Sequence, residues 1–198
     1  MNTIGRYFKL SIFWESHGEC VGITIDGSPP GIEFSELNFE GDLNRRKGSD
    51  FKGTTPRKEE DSIEVLSGIF NGKTTGAPLT LIFKNKDVRS SDYSPDIPRP
   101  GHADFVAYKK FKGFQDYRGG GHFSARLTAP LVAAGVIAKK IISPVNVSAS
   151  VIEVGGSSNI DDVIENALSH GDSIGGIVEC VVSNFPVGIG EPFFDSLE

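Results

Sequence analysis

The chain has 198 residues, 38% of them hydrophobic and 23% charged, which fits a globular protein long enough to bury a core. Its net charge of −6 argues against a general nucleic-acid binder, and no apolar run approaches the ~20 residues that span a bilayer. Two distant cysteines, Cys20 and Cys180, show no metal-like spacing and suggest a reducing, cytoplasmic setting, with a single disulfide left open.

The opening MNTIGRYFKL lacks the uninterrupted apolar core of a secretory signal. Residues 8–14 and 21–27 then read as strands joined by a loop that carries His17 and Gly18. Ser35 can cap a helix through ELNFEGDLNRRK, which Gly48 would end. A polar stretch, GSDFKGTTPRKEED, follows. Residues 62–70 and 77–85 read as an antiparallel hairpin across NGKTTG.

RPGHADFVAYKKFKG predicts a helix in its middle. In RLTAPLVAAGVIAKKII, Thr128 is the expected N-cap, Pro130 fits the first turn, and Lys139 and Lys140 favour the C-terminal end. This helix is apolar nearly all round and should be buried. Gly135 in its middle is expected to pack closely against another backbone. The strand VNVSASVIEVGG, an amphipathic helix with Ile160, Val163, Ile164, Ala167 and Leu168 at helical spacing, and the strand SIGGIVECVVSNFP complete the pattern. Paired neighbouring strands favour an antiparallel α+β design over a doubly wound sheet.

Three stretches stand out chemically. WESHGE places His17 between Ser16 and Gly18; alone, such a histidine is more often a turn residue than a proton donor. RPGHAD sets His102 after a tight Pro-Gly entry beside Arg99, whose forked donors suit phosphate or carboxylate; helix capping explains His102 equally well. RGGGH implies close backbone approach to a phosphate, a flavin or a strand, yet it lacks the Walker pattern and the dinucleotide fingerprint. Arginines gather around these motifs, at Arg45, Arg46, Arg57, Arg99, Arg118 and Arg126, and an acidic chain with clustered arginines suits a small anion better than a polymer.

Together, WESHGE, DGSPPGI, LNRRKG, EEDSIEVLSGIFNGKTTGAPLTLIFKN, DVRSSDYS, RPGHADFVAYKKF, DYRGGGHFSARLTAPLVAAGVIAKK and GEPFFDSLE resemble the chorismate synthase family, in its order and across essentially the whole chain. The resemblance implies a β-α-β sandwich of antiparallel sheets with buried helices, over a single domain spanning 1–198. It implies a lyase at the end of the shikimate pathway, common to aromatic amino acid biosynthesis. There 5-enolpyruvylshikimate 3-phosphate loses phosphate in a 1,4-anti elimination that requires reduced FMN without net redox change. A homotetramer is the family's usual assembly. An external reductant of the flavin is expected, because nothing resembles the reductase part with which bifunctional relatives use a nicotinamide such as NADP. No nucleic acid, membrane or metal is implied.

By the same resemblance His17 and His102 are catalytic, the first serving the leaving phosphate and the second the flavin. Ser16, Arg46, Lys52, Arg99 and Arg126 match positions that grip substrate anions, and Arg57 is a less secure addition. His122, Phe123 and Ser124 match the flavin-contact loop. Two departures bear on these assignments: Phe123 lacks the hydroxyl of the family's Gly-Gly-Gly-Arg-Ser-Ser pattern, and Lys52 stands for a frequent arginine and loses bidentate geometry. Family chains continue past FDSLE, so this chain alone is expected to bind FMN weakly and turn over little. The alternative expectation is a non-catalytic anion-binding or assembly module of the same fold. A phosphatase or nucleotide enzyme is disfavoured by the missing metal-ligand cluster and phosphate loop.

Overall fold

The computed structural model describes residues 2–47, 59–86 and 88–189. Gly48, Lys52, Arg57 and the closing GEPFFDSLE lie outside the described residues. The rest forms two compact units that divide after Ile141. In chain order the first unit holds β1 (Thr3–Ile4), β2 (Lys9–Phe13), β3 (Cys20–Asp26), α1 (Leu37–Lys47), β4 (Ile63–Ser67), β5 (Ile69–Phe70), β6 (Lys73–Thr74), β7 (Leu79–Lys84), α2 (Asp104–Lys110) and α3 (Thr128–Ile141). Each element expected from the sequence is present, and the fold is α+β with antiparallel sheets. β1 and β6 were not expected; at two residues each they are too short for an alternating pattern to mark them, and the strand expected over 62–70 is divided at Gly68 into β4 and β5.

Five of these strands make one antiparallel sheet in the order β1-β2-β3-β7-β4. Period-two alternation sorts its side chains. Val21, Ile23 and Ile25 of β3 pair with Phe83, Leu81 and Leu79 of β7, and all six are fully buried. Ile12 and Leu10 extend this face through β2, as Ile63 and Val65 do through β4. Helices α1 and α3 close over it with Phe39, Leu43, Ala133, Ala134, Val136 and Ile137. Each large side chain so buried stabilises by roughly 1.5–3 kcal/mol. One residue out of phase, Thr3, Ser11, Thr24, Thr80 and Ser67 align across the five strands. Their hydroxyls bond one another where Thr3 meets Ser11 (2.7 Å) and Thr24 meets Thr80 (3.3 Å).

β4 and β7 pair antiparallel as the sequence suggests, while residues 69–74 form a separate ribbon of β5 and β6. Its tip, Asn71-Gly72, has positive φ at both residues (49° and 71°), the requirement of a tight hairpin turn. Two expectations about α3 fail. Thr128 does not cap it: the hydroxyl donates back to the Ala125 carbonyl (2.6 Å), and a 3₁₀ turn over Ala125–Leu127 runs into the helix. The capping side chain is Ser124, which accepts from the Arg126 N–H (3.3 Å). Gly135 does not allow a close backbone approach, because a methyl group there would meet nothing within 4 Å.

The second unit is a hairpin of β8 (Asn146–Val154) and β9 (Gly176–Ser183) with α4 (Ile160–Ser169) between them in sequence. Its register runs from Asn146 opposite Ser183 to Val154 opposite Gly176, with an irregularity between Val151 and Glu153. Every residue of β9 is exposed, and α4 has no buried residue. Both thiols are free, Cys20 buried and Cys180 exposed.

Candidate functional site

The site lies in the first unit and starts from the turn between β2 and β3. Trp14 enters it with φ 70°, and the Gly18 N–H closes it on the Glu15 carbonyl (3.0 Å). Gly18 has the Trp14 ring as its neighbour, 2.8 Å from where a Cβ would stand. The turn presents Ser16 and His17, only 7% and 6% exposed. Ser16 donates its hydroxyl to the Gly119 carbonyl (3.1 Å), and its N–H bonds the Gly121 carbonyl (3.3 Å). His17 Nδ1 lies 3.0 Å from the Ser90 hydroxyl, with Tyr93 packed edge-on at 5.2 Å.

The glycine run explains itself by these neighbours. Gly119, Gly120 and Gly121 have φ of 58°, 83° and 52°, conformations that side chains rarely adopt. A Cβ on Gly119 would stand 2.3 Å from the His17 ring. One on Gly120 would stand 2.4 Å from the His102 ring. One on Gly121 would strike the Asp116 carbonyl at 2.1 Å. Two imidazoles from sequence-distant loops therefore pack against consecutive glycines.

His102 precedes α2 rather than capping it; Ala103 occupies the cap position and makes no side-chain bond. Its Nδ1 lies 2.7 Å from Asp104 Oδ1 and 3.2 Å from an Arg99 terminal nitrogen. The Arg99 guanidinium can only donate, so in that contact Nδ1 accepts, and Nε2 faces Gly120. Arg99 grips the same carboxylate through Nε (2.8 Å), a terminal nitrogen (3.0 Å) and its backbone N–H (3.0 Å), and stacks on Tyr93 at 4.9 Å. The Arg99 fork holds the Asp104 carboxyl well below the usual carboxylate range, and Asp104 in turn raises Arg99. Arg118 and Asp116 repeat the arrangement beside the glycine run, at 2.8 and 2.7 Å, with the carboxyl lowered and the guanidinium raised.

A cavity of about 1090 Å³ opens here, lined by Trp14, Tyr93, Arg99, Phe111, Gly120 and Phe123, with His122, Asp104, Lys109 and Lys110 among the polar contributors. His122 and Phe123 stand edge-to-face at 6.1 Å on its wall. Ser124 lies outside that lining, its hydroxyl engaged at the cap.

Arg46 and Arg126 are brought together elsewhere, around Asp61. That side chain has no exposed surface and binds Arg46 at 2.7 Å and Arg126 through a second short ion pair. Arg126, 9% exposed, has its remaining donors on Asn85 Oδ1 (3.0 Å) and the Lys84 carbonyl (3.2 Å). Neither arginine lines the cavity. Sequence reading did not single out Asp61, Asn85, Ser90, Tyr93 or Asp104 as functional. The first signal available was the compact segment NKDVRSSDYS, polar residues directly after an apolar strand.

The chorismate synthase family model matches residues 8–198. A chorismate synthase of Chitinophaga pinensis is 57% identical over 201 residues, covering the whole chain and 60% of that protein. One from Dehalococcoides mccartyi is 42% identical over 228 residues, again covering the whole chain and 63% of that protein. A crystal structure of chorismate synthase superposes with a TM-score of 0.69 at 24% identity, over 91% of this chain and 59% of that one, a likeness of fold. The chain thus spans about three-fifths of the curated relatives it matches. With motif order, fold and family model in agreement, the chain belongs to the chorismate synthase family.

Proposed function

We propose that this chain carries part of a chorismate synthase active site, which eliminates phosphate from 5-enolpyruvylshikimate 3-phosphate to give chorismate with the help of reduced FMN. The observation that carries the reading is the packing of His17 and His102 against consecutive glycines, with Arg99 beside the second ring. A trianionic substrate needs fixed positive charge and a proton donor in a place poor in water. This corner of the first unit offers both.

The residues fit a flavin. Trp14, Tyr93, Phe111 and Phe123 give the cavity flat apolar walls that suit a planar ring, while Arg99, Lys109 and Lys110 would meet a phosphate tail locally in a lining that also carries Glu15, Asp92, Asp96, Asp104 and Asp116. Reduced FMN, when bound, brings electron density for the allylic carbon–oxygen bond. His122 and Phe123 would hold it from the wall, and His102 would lie near its pyrimidine end. His17 delivers the proton that neutralises the departing phosphate, its ring held by the Ser90 hydroxyl at Nδ1. Ser16 holds the glycine run against that ring. Arg99, oriented by Asp104, would offer its exposed guanidinium edge to a substrate anion. Arg46 and Arg126 supply a further fixed pair, with Lys52 completing the set. The 1–198 domain, the homotetramer and an external source of reduced flavin belong to the same reading.

Flavin titration tests it. FMN should bind this chain weakly alone and more tightly with 5-enolpyruvylshikimate 3-phosphate present, followed by flavin fluorescence. Absence of binding in both conditions would end the reading in favour of a non-catalytic module.

A further inference from the structure

Asn85 stands one residue beyond the end of β7, opposite the turn that carries Ser16 and His17. Its backbone N–H donates to the Glu19 carbonyl (3.0 Å), which continues the β3–β7 ladder and fixes where its side chain begins. The carboxamide then uses both of its donors and one of its acceptor directions. Nδ2 donates to the Glu15 carbonyl (3.2 Å) and the Gly18 carbonyl (2.9 Å), the two residues that bracket Ser16 and His17. Oδ1 accepts from Arg126 Nε (3.0 Å). Arg126 in turn shares Asp61 with Arg46. One planar group thus joins the imidazole turn to the arginine cluster.

We propose that Asn85 is a positioning residue that locks the Ser16–His17 turn to Arg126 through its carboxamide, holding imidazole and guanidinium in register around one anionic substrate. The substrate in this statement rests on the function proposed above; the locking does not. The chemistry specifies asparagine. Aspartate has the same shape and still accepts from Arg126, but it turns two donors into acceptors facing carbonyl oxygens. Leucine would make no bond, and glutamine would carry the amide one methylene too far. A side chain that merely filled the sheet end would tolerate Asn85→Asp, since the new ion pair with Arg126 offsets part of what is lost.

The test uses the whole chain, whose four histidines give few ring signals to resolve. In Asn85→Asp the His17 ring resonances should shift and broaden, while those of His170, bonded within its own unit to Asn166, stay in place. Arg126→Lys approaches from the other end: it keeps the charge near Asp61 but removes the Nε bond, and should also move the His17 signals. It serves if the aspartate variant does not fold. Unmoved His17 signals in a folded variant would overturn the positioning role, whatever the ligand result. Affinity for 5-enolpyruvylshikimate 3-phosphate should fall by about tenfold in Asn85→Asp, the scale of losing buried hydrogen bonds. A wild-type chain that does not bind this compound would overturn the substrate reading alone, and the ring signals would still decide the positioning role.

Discussion

Asp104 and Asp61 each hold arginine, and the difference between their settings separates two uses of the same chemistry. Asp104 and Arg99 line the cavity, Asp104 also contacts His102, which is not part of that lining, and the Arg99 side chain keeps 38% of its surface exposed. Asp61 has no exposed side-chain surface and divides its carboxylate between Arg46 and Arg126. A carboxylate at the rim orients charge that can still meet a ligand. A carboxylate in the interior binds elements together, here the last turn of α1, the start of β4 and the 3₁₀ turn before α3. Arg46 and Arg126, matched by resemblance to substrate-gripping positions, therefore have internal partners that any substrate anion has to share.

The comparison breaks most visibly at Asp61. Asp61→Asn would take the counter-charge from Arg46 and leave Arg126 only the more distant Glu59 (3.9 Å), and removing one partner of a buried ion pair typically costs about 3–5 kcal/mol. Urea unfolding should show the loss as a lower midpoint with an unchanged slope. A change under about 1 kcal/mol would mean that Asp61 behaves as a rim carboxylate.

Gly120→Ala tests the rim from its other side. The new Cβ would stand 2.4 Å from the His102 ring at φ 83°, so both strain and displacement act. A non-glycine residue in this region costs about 1–3 kcal/mol. The same variant should weaken FMN binding, since the displaced ring sits beside the cavity; fluorescence titration measures it. Unchanged stability together with unchanged flavin binding would show that the ring swings away freely.

How much of this was legible beforehand depended on whether a residue's role was local. The buried strands were readable because alternation of Val21, Ile23 and Ile25, and of Leu79, Leu81 and Phe83, is written in consecutive residues. The convergence of His17 and His102 was expected from the motifs that carry the resemblance, and consecutive glycines bring both rings to one place. Asp61 and Asn85 were not legible. Their roles come from partners 15 to 70 residues away, and polar residues at the ends of strands look the same whether they solvate or clamp. The capping of α3 was misassigned for a similar reason: Thr128 and Ser124 are both good caps, and only the 3₁₀ turn between them decides which is used.

A smaller effect follows from pH. Because Arg99 lowers the Asp104 carboxyl, that carboxylate stabilises the fold fully above its unfolded value of about 3.9 and progressively less as pH falls towards the folded one. Asp104→Asn should cost about 1 kcal/mol or less near neutrality, since water screens so exposed a partner as Arg99. The gap between variant and wild type should narrow as the pH of thermal melts is lowered below about 4. A gap that widened in acid would contradict the direction of the shift.

Gly135→Ala should act with the opposite sign to Gly120→Ala. Gly120 is glycine because its φ is positive and a ring fills the space beside it. Gly135 lies inside α3, where a methyl group would meet nothing within 4 Å, so neither reason applies. What remains is backbone entropy: glycine is less favourable than alanine in a helix interior by about 1 kcal/mol, because its unfolded chain has more freedom to lose. The substitution should raise the melting temperature by about 2–4 °C for a chain of this size and leave flavin binding unchanged. A lowered melting temperature would mean that α3 needs the missing side chain for something it packs against, which would restore the close-approach role that the sequence first suggested.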